Sequence, residues 1–110
     1  MDIEEKYFHA REQVFTAYSQ AKANRVHLEA FRKSKKAILM SDYAKDNPKA
    51  SIAEQEREAY AHKDYIDLLD GLKVAVEDEA FTYHKLKSMD QWHEEKMDKN
   101  ATSRKEMGMR

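Results

Sequence analysis

From Ile3 to Leu39 the chain carries neither Pro nor Gly, and its apolar residues fall at alternating steps of four and three. In that register the positions are Ile3, Tyr7, Ala10, Val14, Ala17, Ala21, Asn24, Leu28, Phe31, Lys35 and Ile38. Such a seam predicts one long amphipathic helix over about residues 2–40. At 1.5 Å of rise per residue it would be roughly 55 Å long, and so long a helix needs an equally long neighbour. Asp2 is placed to cap it, and Glu4 and Glu5 put negative charge where the helix dipole favours it. In the first half the stripe widens, because Phe8, Phe15 and Tyr18 lie beside Tyr7, Val14 and Ala17. A wide stripe touches two neighbours, whereas a strict seam touches one.

Ser41–Ala50 reads as a connection, with turn formers at Ser41-Asp42 and Asp46-Asn47-Pro48. Ser51-Ile52-Ala53-Glu54 then matches a capping box and predicts a short helix over about 51–61. Beyond it, two readings stand. One continuous helix could run from Ser51 to about Asn100. Alternatively it breaks at Ala61-His62-Lys63-Asp64, with Asp64 capping a second long helix over about 64–100. The break leaves two segments of equal length, Ile3–Leu39 and Asp64–Asn100, which could bury their seams completely against each other; equal lengths favour it. The later segment repeats Tyr65, Ile66, Leu68, Leu69, Leu72, Val76, Ala80, Tyr83, Leu86, Met89 and Trp92 or His93 at helical spacing. Gly71 interrupts this face and is expected to mark the close approach of another backbone. Past Lys99 the periodicity is lost, and residues 101–110 are expected to fray.

Composition narrows the class. One domain, residues 1–110, with 37% charged residues, two Gly and one Pro lacks the turn residues of a β-rich fold, so the chain is all-α. Charge then sets the direction of the helices. Lys22–Lys36 holds six basic residues against Glu29, a local charge of +5, and residues 64–79 hold six acids against Lys73, a local charge of −5. An antiparallel pair lays these segments side by side, and the short connection demands the same orientation. Exposed pairs contribute only ~0.2–1 kcal/mol each, so they select orientation more than they stabilise.

A long antiparallel helical hairpin has one internal seam, yet both helices carry apolar residues beyond it. Phe8, Phe15, Tyr18, Leu68, Leu86 and Trp92 are expected to stay exposed on a single hairpin and to form the interface of a homodimer, an elongated helical bundle.

Candidate chemistry is thin. No Cys is present, which excludes thiol catalysis and a disulfide framework. Asp90-x-x-His93 and Glu5-x-x-x-His9 approach the spacing of bundle metal ligands without matching it, and His93-Glu94-Glu95-Lys96-Met97 has Met where a zinc helix needs its second His. The carboxylates lie in charge-rich helical segments, where a solvated face is the ordinary state. No enzyme, metal or cofactor is expected. A net charge of −1 offers no general attraction for nucleic acid. Lys22, Arg25, Arg32, Lys33 and Lys36 could still track a phosphate backbone, although pairing with residues 64–79 is the plainer role. The tyrosines and Trp92 could form a stacking platform, but at helical spacing they read as core or interface. An acidic start without an apolar run after it, and no apolar stretch near ~20 residues, lead to the expectation of a cytoplasmic protein.

One resemblance adds to this. Lys49-Ala50-Ser51-Ile52-Ala53-Glu54-Gln55-Glu56-Arg57-Glu58-Ala59-Tyr60-Ala61, then Tyr65 through Leu72, resembles small helical proteins encoded by temperate bacteriophages and prophages. The tail Trp92…Ala101-Thr102-x-Arg104-x-Glu106-Met107 resembles the end of the same proteins, so the likeness covers residues 49–107. It implies an accessory protein, from a recombination or early-gene region, that acts on host or phage proteins or on DNA. It also implies Pro where this chain has Lys63, in keeping with a break there. Together these readings lead to a non-catalytic interaction protein that binds itself and a protein partner, with a DNA-binding accessory factor as the alternative.

Overall fold

A computed structural model describes residues 1–108 and contains three helices, with no strand among the described residues: α1, Ile3–Asp46; α2, Ile52–Ala61; α3, Lys63–Gly108. The shape is a rod of 89 × 24 × 16 Å. Its radius of gyration is 24.4 Å, against ~13 Å for a compact domain of this length.

The caps explain where the helices begin. Asp2 Oδ1 accepts from the Glu5 amide at 2.8 Å, and Ser51 Oγ accepts from the Glu54 amide at 3.1 Å. The return half of the capping box does not form, because the Glu54 carboxylate instead lies 3.9 Å from Arg57. α1 runs through residues 41–46, which the turn formers had suggested were a connection. Leu39, Met40, Tyr43 and Ala44 are buried or half-buried in that turn, so packing overrides the weak propensities of Ser41 and Asp42. Asn47 ends the helix, its backbone amide donating to the Tyr43 carbonyl at 2.9 Å, and Pro48 follows.

The interruption between α2 and α3 is present, but Asp64 is not its cap. His62 is the one residue between the helices and has extended backbone angles, φ −69° and ψ 138°. Its imidazole Nδ1 accepts from the Asp64 amide at 3.0 Å, while its carbonyl accepts from Tyr65 and Ile66. Lys63 is therefore the first helical residue, the position Pro favours, and His62 already has the conformation Pro demands before it. Lys63→Pro is expected to hold or raise stability, by up to about 1 kcal/mol. A lowered melting temperature on thermal denaturation would show that the break depends on something other than this cap.

α3 returns antiparallel along α1: Tyr7 meets Asp90, Arg25 meets Glu79 and Lys35 meets Asp64. The positively and negatively charged segments thus lie side by side. At the other end Glu4 and Lys96 line the same groove, with no ion pair between acidic first turn and basic tail among the described residues. The inward positions of α3 are Tyr65, Leu68, Leu72, Ala75, Glu79, Thr82, Leu86, Met89 and His93, in unbroken steps of three and four. On α1 they are Tyr7, Arg11, Val14, Tyr18, Ala21, Arg25, Leu28, Lys35 and Leu39. The row Tyr7/Val14/Ala21/Leu28/Lys35 is the expected one. Its companion lies one residue later than the hydrophobic pattern indicates, at Arg11/Tyr18/Arg25/Leu39 in place of Ala10/Ala17/Asn24/Ile38. α3 continues to Gly108, beyond the expected end near Asn100, because residues 101–108 contain no breaker before that glycine. Met109 and Arg110, also assigned to the frayed tail, lie outside the described residues.

The rod buries little. Among the described residues only Tyr7, Ala21, Leu39, Ala59, Tyr65, Ala75 and Leu86 are buried and apolar, and none is both large and fully enclosed. The surface is 8634 Å², about a third above the ~6,300 Å² of a compact protein of this mass.

Candidate interaction surface

Two polar clasps close the seam. At the open end the Arg11 guanidinium grips Asp90 through Nε to Oδ1 at 2.7 Å and Nη2 to Oδ2 at 3.2 Å, and the Tyr7 hydroxyl donates to the same Oδ1 at 2.6 Å. Midway, Arg25 binds both oxygens of Glu79 and also reaches Glu29. The Arg11 and Tyr7 hydrogen bonds hold the Asp90 carboxyl below the usual carboxylate range, and Arg25 does the same for Glu79. Burial, then Asp90, pushes the Tyr7 phenol up. An ionised Asp90 with two donors is a poor base and Tyr7 a poor acid, so the arrangement is suited to fastening helices.

A depressed carboxylate contributes stability above its unfolded value and loses it as pH falls through the folded one. Unfolding temperatures measured by circular dichroism are therefore expected to drop as pH falls from about 4.5 toward 3 and below. Asp90→Asn should flatten the lower part of that slope. An identical acid profile in the variant would mean the Arg11 clasp contributes nothing to it.

Around Tyr7 the rings of His93, Phe8 and Trp92 gather at 4.2, 5.3 and 6.3 Å between centroids. His93 Nε2 is buried with no hydrogen-bond partner among the described residues. A groove of about 350 Å³ opens here between Ile3, Tyr7, Trp92, His93 and Met97. No group of three or more His, Asp or Glu side chains among the described residues is placed to hold a metal ion.

The expected interface residues divide. Leu86 is 8% exposed and Leu68 half-buried, both facing α1, which corrects their assignment to an outer surface. The strict heptad rows of α3 turn them inward. Phe8 and Phe15 are 56% and 51% exposed, Trp92 is exposed, and Tyr18 is half-buried with its ring 5.9 Å from that of Tyr83. Trp92 stands on the other side of the His93 row from Tyr83, so the six residues do not make one patch.

The coherent outer surface is a different set. On α1, Phe8, Phe15, Lys22, Glu29, Lys36 and Tyr43 are seven residues apart and share one face. α2 lies over the last two: Glu56 is 3.4 Å from Lys36, whose ammonium sits 4.7 Å above the Tyr60 ring, and Ala59 is buried against Leu39. The rest of the row is uncovered and borders a shallow concavity at Phe15, Tyr18, Ser19, Lys22, Ala23 and Val26. Leu69, Val76 and Tyr83 of α3, again seven apart, are partly exposed. This α3 row was legible as apolar; that it faces outward depended on which of two apolar rows met α1.

Of the basic residues considered for nucleic acid, Arg25 and Lys36 are engaged inside the chain, while Lys22, Arg32 and Lys33 have no ion-pair partner among the described residues. No helix among the described residues is long and apolar enough to cross a membrane. Comparison with known proteins finds no match, whether to a protein family, a curated protein or a solved structure.

Proposed function

We infer that this chain is a non-catalytic helical interaction protein of the phage-accessory kind, which works in the bacterial cytoplasm by joining its uncovered α1–α3 face to other protein surface, a second copy first. One observation carries the reading. A thin two-helix rod leaves Phe8, Phe15, Val26, Val76 and Tyr83 exposed in long register, and large apolar side chains held exposed along one face commonly mark an interface. The Arg11–Asp90 and Arg25–Glu79 groups on the seam satisfy one another, so the outer face is not needed to pair them.

Molar mass by light scattering at micromolar concentration tests this, run alone and with a short DNA duplex and single strand. The expected result is a species heavier than the 13.0 kDa chain, indifferent to DNA. A strict monomer would sink the reading. Lys22, Arg32 and Lys33, outside any ion pair among the described residues, favour the second reading, a DNA-binding accessory factor, and a salt-dependent mass increase with DNA would bring it forward.

A further inference from the structure

Resting on that interaction reading, we propose that the uncovered face is filled by the same face of a second copy, laid antiparallel about a two-fold axis that passes close to Ser19. Four observations converge on this occupant and this orientation.

The first is α2 itself. It occupies the third-helix position over Lys36 and Tyr43 and leaves that position empty along Phe8–Glu29. Two rods stacked in parallel would bring α2 onto α2 and hold the open halves apart. Stacked antiparallel, each open half meets the other, and each α2 lies beyond the end of the overlap.

The second is area. An overlap along α1 residues 3–35 is about 50 Å long. With the smaller rod cross-section of 16 Å it covers roughly 800 Å² per copy, what a specific interface needs.

Charge is the third. On α1, Glu5 and Glu12 lie to one side of Ser19 and Lys22 and Lys33 to the other, none with an ion-pair partner among the described residues. A two-fold at Ser19 sets Glu5 opposite Lys33 of the second copy. A parallel pair sets like against like.

The fourth is side-chain size. In the same register Ser19 meets its own copy and Phe15 meets Ala23, so a small residue lies at the axis and another lies beneath the phenylalanine ring. Lys22 then stands opposite Thr16, next to Phe15 in sequence, and a lysine stem covers apolar surface well.

The chain has no cysteine, so single cysteines report the geometry directly. Under mild oxidation Ser19→Cys is expected to give a covalent dimer on a non-reducing gel. Glu5→Cys and Lys33→Cys should each stay monomeric alone and cross-link when mixed. Phe15→Glu should raise the dimer dissociation constant at least about tenfold with helicity unchanged. Cross-linking of Glu5→Cys and Lys33→Cys each with itself would mean parallel stacking and overturn the proposal. A dimer by light scattering that yields no Ser19→Cys product would overturn it while leaving the interaction reading standing; a monomer would remove both.

Discussion

Leu39→Ala is expected to lower the unfolding free energy by about 2–4 kcal/mol in a denaturant titration, while Ile38→Ala costs about 0.5 kcal/mol or less. The two residues are neighbours of similar size, and a hydrophobic pattern read along the chain chooses Ile38 for the seam. In the fold Leu39 is 7% exposed and Ile38 is 47% exposed. Leu39 packs with Ala59 and Tyr65, with Met40 against the cluster, where all three helices meet. Truncation there removes the transfer energy of the side chain and leaves a hole that a two-helix rod has few neighbours to refill. Against a typical total of 5–15 kcal/mol the loss is large, and it should also loosen α2. Equal costs at the two positions would mean that α1 is rotated from the register described here.

Gly71→Ala is expected to move stability the other way, by about 1 kcal/mol, raising the melting temperature by a few degrees. The glycine was expected to mark a backbone approach. Instead, the nearest atom to a Cβ built there is Leu28 Cδ1 at 4.0 Å, an ordinary van der Waals contact with a side chain. Nothing in the helix pair requires the missing side chain, so alanine removes unfolded-state freedom without a clash. Gly71 also lies on the flank away from Tyr83, and the substitution should leave self-association unchanged. A destabilised variant would place another backbone over Gly71 in the assembled protein.

Much of the architecture was legible because local signals agreed with it. Asp2 and Ser51 have cap chemistry that acts within three residues, and the opposite charges of residues 22–36 and 64–79 point to one orientation. What the pattern hid was half the seam. Arg11 and Arg25 sit inward because Asp90 and Glu79 meet them from α3, and a hydrophobicity count cannot see a polar pair that is satisfied only across helices. The same blindness sent Leu68 and Leu86 to the outside: α3 carries two apolar rows, and only contact with α1 decides between them. The extension of α1 through Asp46 depended on α2 folding over Tyr43, a non-local event. For the candidate face, Phe8 and Phe15 were readable, whereas its α3 half and its boundary at α2 were not.

The antiparallel return of α3 also decides how the rod responds to force. Ile3 lines the same groove as Asn100, so the first and last described residues project from one end. The cross-links between the helices shorten in sequence separation from 83 residues at Tyr7–Asp90 to 54 at Arg25–Glu79 and 20 at Lys36–Glu56. Tension across the two ends therefore loads these contacts one after another, as a zipper, and never all together in shear. The clasp at Asp90 yields first and the α2 corner last. Refolding closes the shortest loop first and runs back along the same line. A second copy laid across the open half would turn that peeling path into a barrier, because the contacts that yield first alone are the ones it would cover.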